Sequence, residues 1–263
     1  MIELRHVSYS YGGRPAIRDV SLTIKNGEMV AIIGPNASGK STAAHLACGL
    51  IVPDEGDCLV DGINTKDDVY AARKAAGMVF QGPDDQIVSR RVIDDVMFGP
   101  LNLGLTPGEA MVRATGSLRS VGMERFSGSA THSLSGGQKQ LIAIAGVLAM
   151  RPGYVLFDEP TAFLDGDGIE AVRRAMQALK NDGMGLVVVT HDMEEALLAD
   201  RIVVLYEGRV LMEGPPEAVF SDEARLQEAG IEMPFRLMLS KALKARGVDN
   251  FQIAGVNAPC PYR

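Results

Sequence analysis

The chain has 263 residues, 46% of them hydrophobic, enough to bury one substantial core with a small appended lobe. A formal net charge of −7 without any basic stripe argues against a nucleic-acid binder. No apolar run approaches the roughly 18 residues that cross a bilayer, and the start, MIELRHVSYSY, lacks a signal-peptide apolar region, which predicts a protein that stays in the cytoplasm.

From the N-terminus, Val7, Tyr9 and Tyr11 alternate with polar residues, as do Val20, Leu22 and Ile24, and both stretches predict strands. Asn26-Gly27 is a turn signal ahead of Met29-Val30-Ala31-Ile32-Ile33, a short apolar run of buried-strand type. Next come Gly34, Pro35, Asn36, Ala37, Ser38, Gly39, Lys40, Ser41 and Thr42, which fit G-x-x-x-x-G-K-[ST], with a helix-compatible run over residues 41–48 behind them. Strand, loop and helix in that order are the context a phosphate-binding loop requires. Its glycines let successive N–H groups turn inward on an anion, and the helix adds its positive dipole end. Lys40 would contact the β- and γ-phosphates, and the Ser41 hydroxyl would ligate Mg²⁺.

Pro53-Asp54-Glu55-Gly56 predicts a turn and residues 57–61 a further strand, so antiparallel β segments flank the nucleotide strand in sequence. Residues 67–76 read as helix and 78–80 as a short strand ending at Gln81. The stretch 83–150 is mostly helical. Within it, Thr106-Pro107-Gly108-Glu109 forms a capping box, Gly122 stops that helix, and Leu134-Ser135-Gly136-Gly137-Gln138 opens another that ends near Pro152.

The α/β pattern then returns. Tyr154-Val155-Leu156-Phe157 predicts a strand with Asp158 and Glu159 at its C-terminal end, where open α/β sheets place their chemistry. Helix 169–179, strand 186–190, helix 193–198 and strands 202–205 and 209–212 follow. From Pro215 the chain reads as a helical appendage. There Phe235, Met238, Leu239, Ala242 and Leu243 share one helical face before Gly247, expected to pack on its own domain, with self-association as the alternative. Residues 252–263 predict a mobile tail. Cys48, Cys58 and Cys260 lack metal-ligand spacing and read as small buried apolar residues or, in the tail, a free thiol.

A nucleotidase needs a carboxylate for its metal and a group to activate water. Asp158, at the end of a buried strand, fits the aspartate that holds Mg²⁺, directly or through water, and Glu159 beside it fits the general base. His191 also follows an apolar strand, where an imidazole could hydrogen-bond the γ-phosphate and the attacking water. His6, His45 and His132 sit in no such context and read as structural or exposed.

The order Gly34 to Ser41, Leu134-Ser135-Gly136-Gly137-Gln138, Leu156-Phe157-Asp158-Glu159-Pro160 and Thr190-His191-Asp192 resembles the nucleotide-binding subunit of ATP-binding-cassette transporters over at least residues 1–220. The LSGGQ pentapeptide discriminates, because other P-loop classes lack it. The resemblance implies an α/β P-loop nucleotidase with a RecA-like parallel core, an antiparallel β subdomain and a helical insertion. A cassette domain over residues 1–215, with its helical subdomain at about 83–150, and a C-terminal helical appendage and tail over 216–263 are expected.

It further implies ATP and Mg²⁺ as ligands. Tyr11 looks like the aromatic that stacks on adenine, with Tyr9 as the alternative. Gln81 looks like the glutamine that touches Mg²⁺ and water beside a transmembrane partner. Leu134 to Gln138 and Asp165 look like elements that act across a dimer, on ATP held by a second ABC ATPase subunit, identical or related.

More narrowly, Val79 to Ile87, Asp94 to Pro100 and Ile144 to Met150 are similar to the energy-coupling-factor group. That group imports vitamins or transition-metal ions such as cobalt and nickel through a transmembrane scaffold subunit and a substrate-binding membrane subunit. The implied location is peripheral, at the cytoplasmic face of the cell membrane. The helix after Met233-Pro234-Phe235 resembles the same group. The chain departs from the pattern at Leu141, where arginine is usual, and at Gly82, where asparagine is common. A soluble cassette ATPase acting on DNA or ribosomes is the competing expectation, though such relatives carry long coiled-coil insertions or paired cassettes that this sequence lacks.

Overall fold

The computed structural model describes residues 1–244 and 246. Strands β1 (Ile2–Tyr11) and β2 (Arg14–Ile24) form a hairpin, and β3 (Met29–Ile33) runs through the phosphate-loop motif into α1 (Lys40–Ala47). After β4 (Glu55–Val60) and β5 (Ile63–Asn64) come α2 (Val69–Ala75) and β6 (Ala76–Val79). The helical stretch consists of α3 (Val92–Asn102), α4 (Pro107–Ser120) and α5 (Gly136–Ala149), with single 3-10 turns at Pro83–Asp85, Glu124–Phe126 and Thr131–Ser133. Then follow β7 (Tyr154–Asp158), α6 (Gly166–Asn181), β8 (Gly185–Val189), α7 (Met193–Ala196), β9 (Arg201–Tyr206), β10 (Arg209–Gly214), α8 (Pro216–Ser221), α9 (Glu223–Glu228) and α10 (Phe235–Lys244).

The strands make a four-stranded sheet, β2-β1-β4-β5, and a six-stranded sheet, β10-β9-β3-β8-β7-β6. The first is antiparallel throughout; in the second, β10 pairs antiparallel with β9 and every other pair is parallel. The parallel strands are apolar at nearly every position because both faces of their sheet are covered. Met29, Ala31 and Ile33 of β3 enter one hydrophobic cluster with α3 to α6, whereas Val30 and Ile32 enter the other with β1, β2, β4 and α1. Leu186/Val188 and Val187/Val189 of β8 divide the same way. A period of two along each strand thus glues a helical layer to one face and the antiparallel sheet to the other. Each buried Val, Ile or Leu contributes about 1.5–3 kcal/mol relative to exposure.

Local signals operate as expected in the helical stretch. Thr106 and Glu109 form both halves of the capping box of α4, and Gly122, at φ +72°, takes the left-handed turn just beyond the helix. The N-terminus of α3 is anchored on the neighbouring loop: Val92 N–H donates to Ser129 C=O at 3.1 Å and Ile93 N–H to Ser127 C=O at 2.9 Å.

Some boundaries differ. Helix α6 begins at Gly166 rather than residue 169, because Asp165 caps it through Gly168 N–H at 2.8 Å. Helix α7 ends at Ala196, two residues short of the expectation. On α10 the packed face is offset by one position from the expected stripe: Leu237 and Ser240 are buried, while Phe235 is 69% and Met238 47% exposed. Buried Pro234 sets the entry of the helix, so positions three and six residues later face Phe220 and Met233. Val219, Phe220, Leu226, Ala229, Ile231 and Leu237 join the core cluster of the six-stranded sheet. Gly247, Cys260 and residues 252–263 lie outside the described residues. Cys48 and Cys58 are buried, and burial pushes their thiols up to about 11 and about 12. Among the described residues no helix is long and apolar enough to cross a membrane.

Candidate functional site

The loop from Gly34 to Thr42 leaves the C-terminal end of β3 at the centre of the six-stranded sheet. Gly34, at φ +153°, passes so close to β9 that a Cβ would stand 2.1 Å from Leu205 O, and Gly39, at φ +101°, would meet Ala16 O at 2.5 Å. Only glycine fits both the dihedrals and the crowding. Gly39 is also the N-cap of α1 and offers no capping side chain to the first-turn N–H groups.

Lys40 is 7% exposed and its Nζ donates to Gly34 C=O and Pro35 C=O, each at 2.9 Å. Burial lowers its pKa, opposed by the carboxylates of Glu159 and Asp158. The Ser41 hydroxyl donates to Asp158 Oδ1 at 3.0 Å. Asp158 is the last residue of β7 and is buried, and that burial raises its pKa against the pull of Ser41, His45 and Lys40.

Glu159 follows in a left-handed conformation, φ +47°, which turns the chain sharply away from the strand. Its N–H donates to Val189 C=O at 2.9 Å. Its Oε2 accepts from Gln81 Nε2 at 3.1 Å and lies 3.2 Å from His191 Nδ1. Gln81, Glu159 and His191, read separately from three strand ends, therefore meet at one oxygen. Tyr11 closes β1, half-exposed and edge-on to Tyr9 at 4.9 Å between ring centroids, in the hairpin whose return strand passes Gly39.

Leu134 to Gln138 and Asp165 stand apart. Among the described residues no hydrogen bond or ion pair joins them to the Gly34 loop. Ser135 caps α5 in a capping box: Gln138 N–H donates to Ser135 Oγ at 3.3 Å and Ser135 N–H to Gln138 Oε1 at 3.0 Å. Gly137 crosses Gly168 of α6 in close backbone contact. Leu141, in the arginine position, is a buried core residue, and Gly82 takes φ +82°, which glycine adopts freely and asparagine tolerates.

Supporting residues escaped the sequence reading. Gln86 Oε1 accepts from Phe80 N–H at 3.0 Å and its Nε2 donates to Met78 C=O at 3.3 Å, shaping the loop that carries Gln81. Asp95 Oδ1 accepts the N–H groups of Val88 and Ser89, both at 2.8 Å. Lys139, just after the pentapeptide, binds Asp84 at 2.6 Å. A polar residue in an otherwise apolar helix, such as Asp95, was the one available signal.

A sequence profile described as ABC transporter matches residues 17–162. The chain belongs to the ABC transporter family. This ABC ATPase binds and hydrolyses ATP. It is 43% identical over 257 residues, 95% of its length and 92% of the relative's, to the energy-coupling factor transporter ATP-binding protein EcfA1 of Clostridium novyi (strain NT). It superposes on cbiO1 of Clostridium perfringens, described as part of the ABC transporter complex cbiONQ, with a TM-score of 0.78, 33% identity and coverage of 91% of this chain and 98% of that one. The cassette MJ0796, solved as a dimer in a post-hydrolysis state with ADP and Pi, gives a TM-score of 0.72 at 35% identity, covering 82% of this ABC ATPase and 99% of the other.

Proposed function

We propose that this chain is the ATP-hydrolysing subunit of an energy-coupling-factor importer for a vitamin or a transition-metal ion such as cobalt or nickel. It would act at the cytoplasmic face of the membrane, with a second ABC ATPase subunit, a transmembrane scaffold and a substrate-binding membrane subunit. The single observation that carries the enzymatic half is the meeting of Gln81 and His191 at Glu159 Oε2, beside the Ser41–Asp158 hydrogen bond. Similarity to the EcfA1 and cbiO1 proteins supports the transport half. We divide the chain into a cassette domain, residues 1–215, with its helical subdomain at about 83–150, and a C-terminal helical appendage and tail, 216–263.

In this reading the backbone N–H groups of Pro35-bounded residues 36–42 and Lys40 hold the phosphates, while Tyr11 packs on adenine. Glu159 accepts the proton of the attacking water as general base, a role commonly worth a factor of about 10²–10⁴ in rate. His191 and Gln81 hold that carboxylate and the water in line. The hard oxygen donors of Ser41, Asp158 and Gln81 suit Mg²⁺, which typically takes one or two protein carboxylates together with phosphate oxygens. Bound there, directly or through water at Asp158, the ion would neutralise charge on the β- and γ-oxygens.

Leu134 to Gln138 and Asp165 present themselves away from the loop of their own chain and act on ATP held by a second subunit. Closing two chains around ATP then buries both anion sites together, and hydrolysis reopens them. The test is hydrolysis by the purified full-length chain, alone and with membrane partners, against Glu159→Gln. The expected outcome is nucleotide-trapped dimer from the variant and copurification of the parent with membrane subunits. A variant that traps no dimer, or copurification with ribosomes or nucleic acid instead, would overturn the reading.

A further inference from the structure

Where the two loops bearing Glu159 and His191 leave the sheet, a carboxyl group lies buried beneath them. Glu195 of α7 is 0% exposed. Its Oε1 accepts from the Thr161 hydroxyl at 3.2 Å. Thr161 stands two residues after Glu159, and Thr190 immediately precedes His191.

The same cluster is fastened from below. Thr190 Oγ1 accepts from Asp192 N–H at 3.0 Å, and Asp192 Oδ1 caps α7 through Glu194 N–H at 2.8 Å and Glu195 N–H at 3.3 Å. Arg173 of α6 holds Asp192 Oδ2 through Nη2 at 2.6 Å. Two atoms are left over, both buried and without a hydrogen-bond partner: Glu195 Oε2 and Arg173 Nε.

Parallel pairing of β7 with β8 ends at Asp158 and Val189 and continues only as far as the Glu159 N–H on Val189 C=O. Beyond that point, besides the approach of Glu159 to His191, the two loops are joined through Glu195, whose carboxyl holds Thr161 and whose N–H is capped by Asp192 next to His191. An apolar residue here would avoid burying an unsatisfied oxygen, yet would leave the Thr161 hydroxyl without this acceptor. We propose that Glu195 is a positioning residue for hydrolysis, pinning Thr161 to α7, whose cap Asp192 holds Thr190, and so fixing Glu159 against His191. Burial also raises the pKa of this acid. The inference rests on the reading of Glu159 and His191 as catalytic.

The experiment is steady-state ATP hydrolysis by the full-length chain carrying Glu195→Ala, Glu195→Gln, Thr161→Val or Glu159→Gln. Misplacing a base by a fraction of an ångström predicts a fall in kcat of about tenfold or more for Glu195→Ala and Thr161→Val, with KM for ATP within about twofold. Glu195→Gln keeps the acceptor oxygen and is expected to restore kcat to within about threefold of the parent. A residue of merely structural worth would lower melting temperature and leave kcat per folded molecule unchanged. If Glu195→Ala does not fold, Thr161→Val, which keeps side-chain shape, decides alone. Parental kcat in Thr161→Val while Glu159→Gln is inactive overturns this inference; parental kcat in Glu159→Gln overturns the catalytic reading beneath it.

Discussion

Gly137 and Gly168 meet backbone to backbone, and a Cβ built on Gly137 would stand 2.6 Å from Gly168 Cα. Helices α5 and α6 thus cross with no side chain between them, one capped by Ser135 and the other by Asp165. The two elements proposed to face a second subunit are in this way parts of one rigid corner. The second glycine of the pentapeptide answers to its own chain as well as to any ligand.

Gly168 is not itself a proposed nucleotide contact, which makes it the cleaner place to test the corner. A Cβ at Gly168 would meet Asp165 Oδ1 at 2.9 Å and Gly137 Cα at 3.2 Å. Gly168→Ala is expected to cost about 1–3 kcal/mol through overpacking. In a Glu159→Gln background it should weaken ATP-driven dimerisation about tenfold, or about 1.4 kcal/mol. Nucleotide binding by the monomer should stay unchanged. Size-exclusion chromatography against nucleotide filter binding separates the two.

The ion pair of Lys139 with Asp84 ties the helix of the pentapeptide to the turn after Gln81. Asp84 is 77% exposed, so the pair should add less than about 1 kcal/mol to stability in a double-mutant cycle. Its expected effect is on communication between loop and helix. Lys139→Glu should reduce hydrolysis stimulated by the membrane partners, and the paired reversal Lys139→Asp with Asp84→Lys should restore it. Stimulated hydrolysis in the reconstituted assembly is the measurement.

Stability should also carry a signature in acid. Burial alone would raise the pKa of Glu28, but the Arg201 guanidinium at 2.7 Å and the Lys25 N–H at 2.9 Å bring it below the ordinary value. Arg201 further binds Glu213 at 3.0 Å and the Thr23 carbonyl, locking β9 to β2, β3 and β10. A depressed carboxyl pKa stabilises above its unfolded value and loses that contribution as pH falls through the folded one. Glu28→Gln is therefore expected to cost about 1–3 kcal/mol near neutral pH. The difference from the parent should shrink below about pH 4, the usual glutamate range. Urea unfolding across that range checks it.

The phosphate-binding loop, the strand-end acids and the capping box of α4 were legible because each is written in a few adjacent residues. So was β3 as a buried strand, though its five apolar residues do not say which core each one joins. The brace around Glu195 was not: its members, Thr161, Arg173, Thr190 and Asp192, become neighbours only when three elements pack. Gly168 looked like any loop glycine, since the residue that demands it lies in another helix. On α10 the periodicity of apolar side chains suggested one face, but the core selected Leu237 with Ser240, because Pro234 fixed how the helix enters. A helical repeat gives the spacing of a stripe; only its neighbours choose the stripe.

Lys40 bears one last consequence. Its ammonium already rests on the carbonyls of Gly34 and Pro35, inside a loop whose glycine dihedrals are set by contact with Leu205 and Ala16. If the loop holds phosphate as proposed, an arriving triphosphate would find a cradle whose ordering was completed during folding, and Lys40 would exchange two carbonyl partners for phosphate oxygens. Association should then be governed by encounter, with an observed rate linear in nucleotide concentration and sensitive to ionic strength. On the proposed two-subunit cycle, the slow event would then be the meeting of two chains.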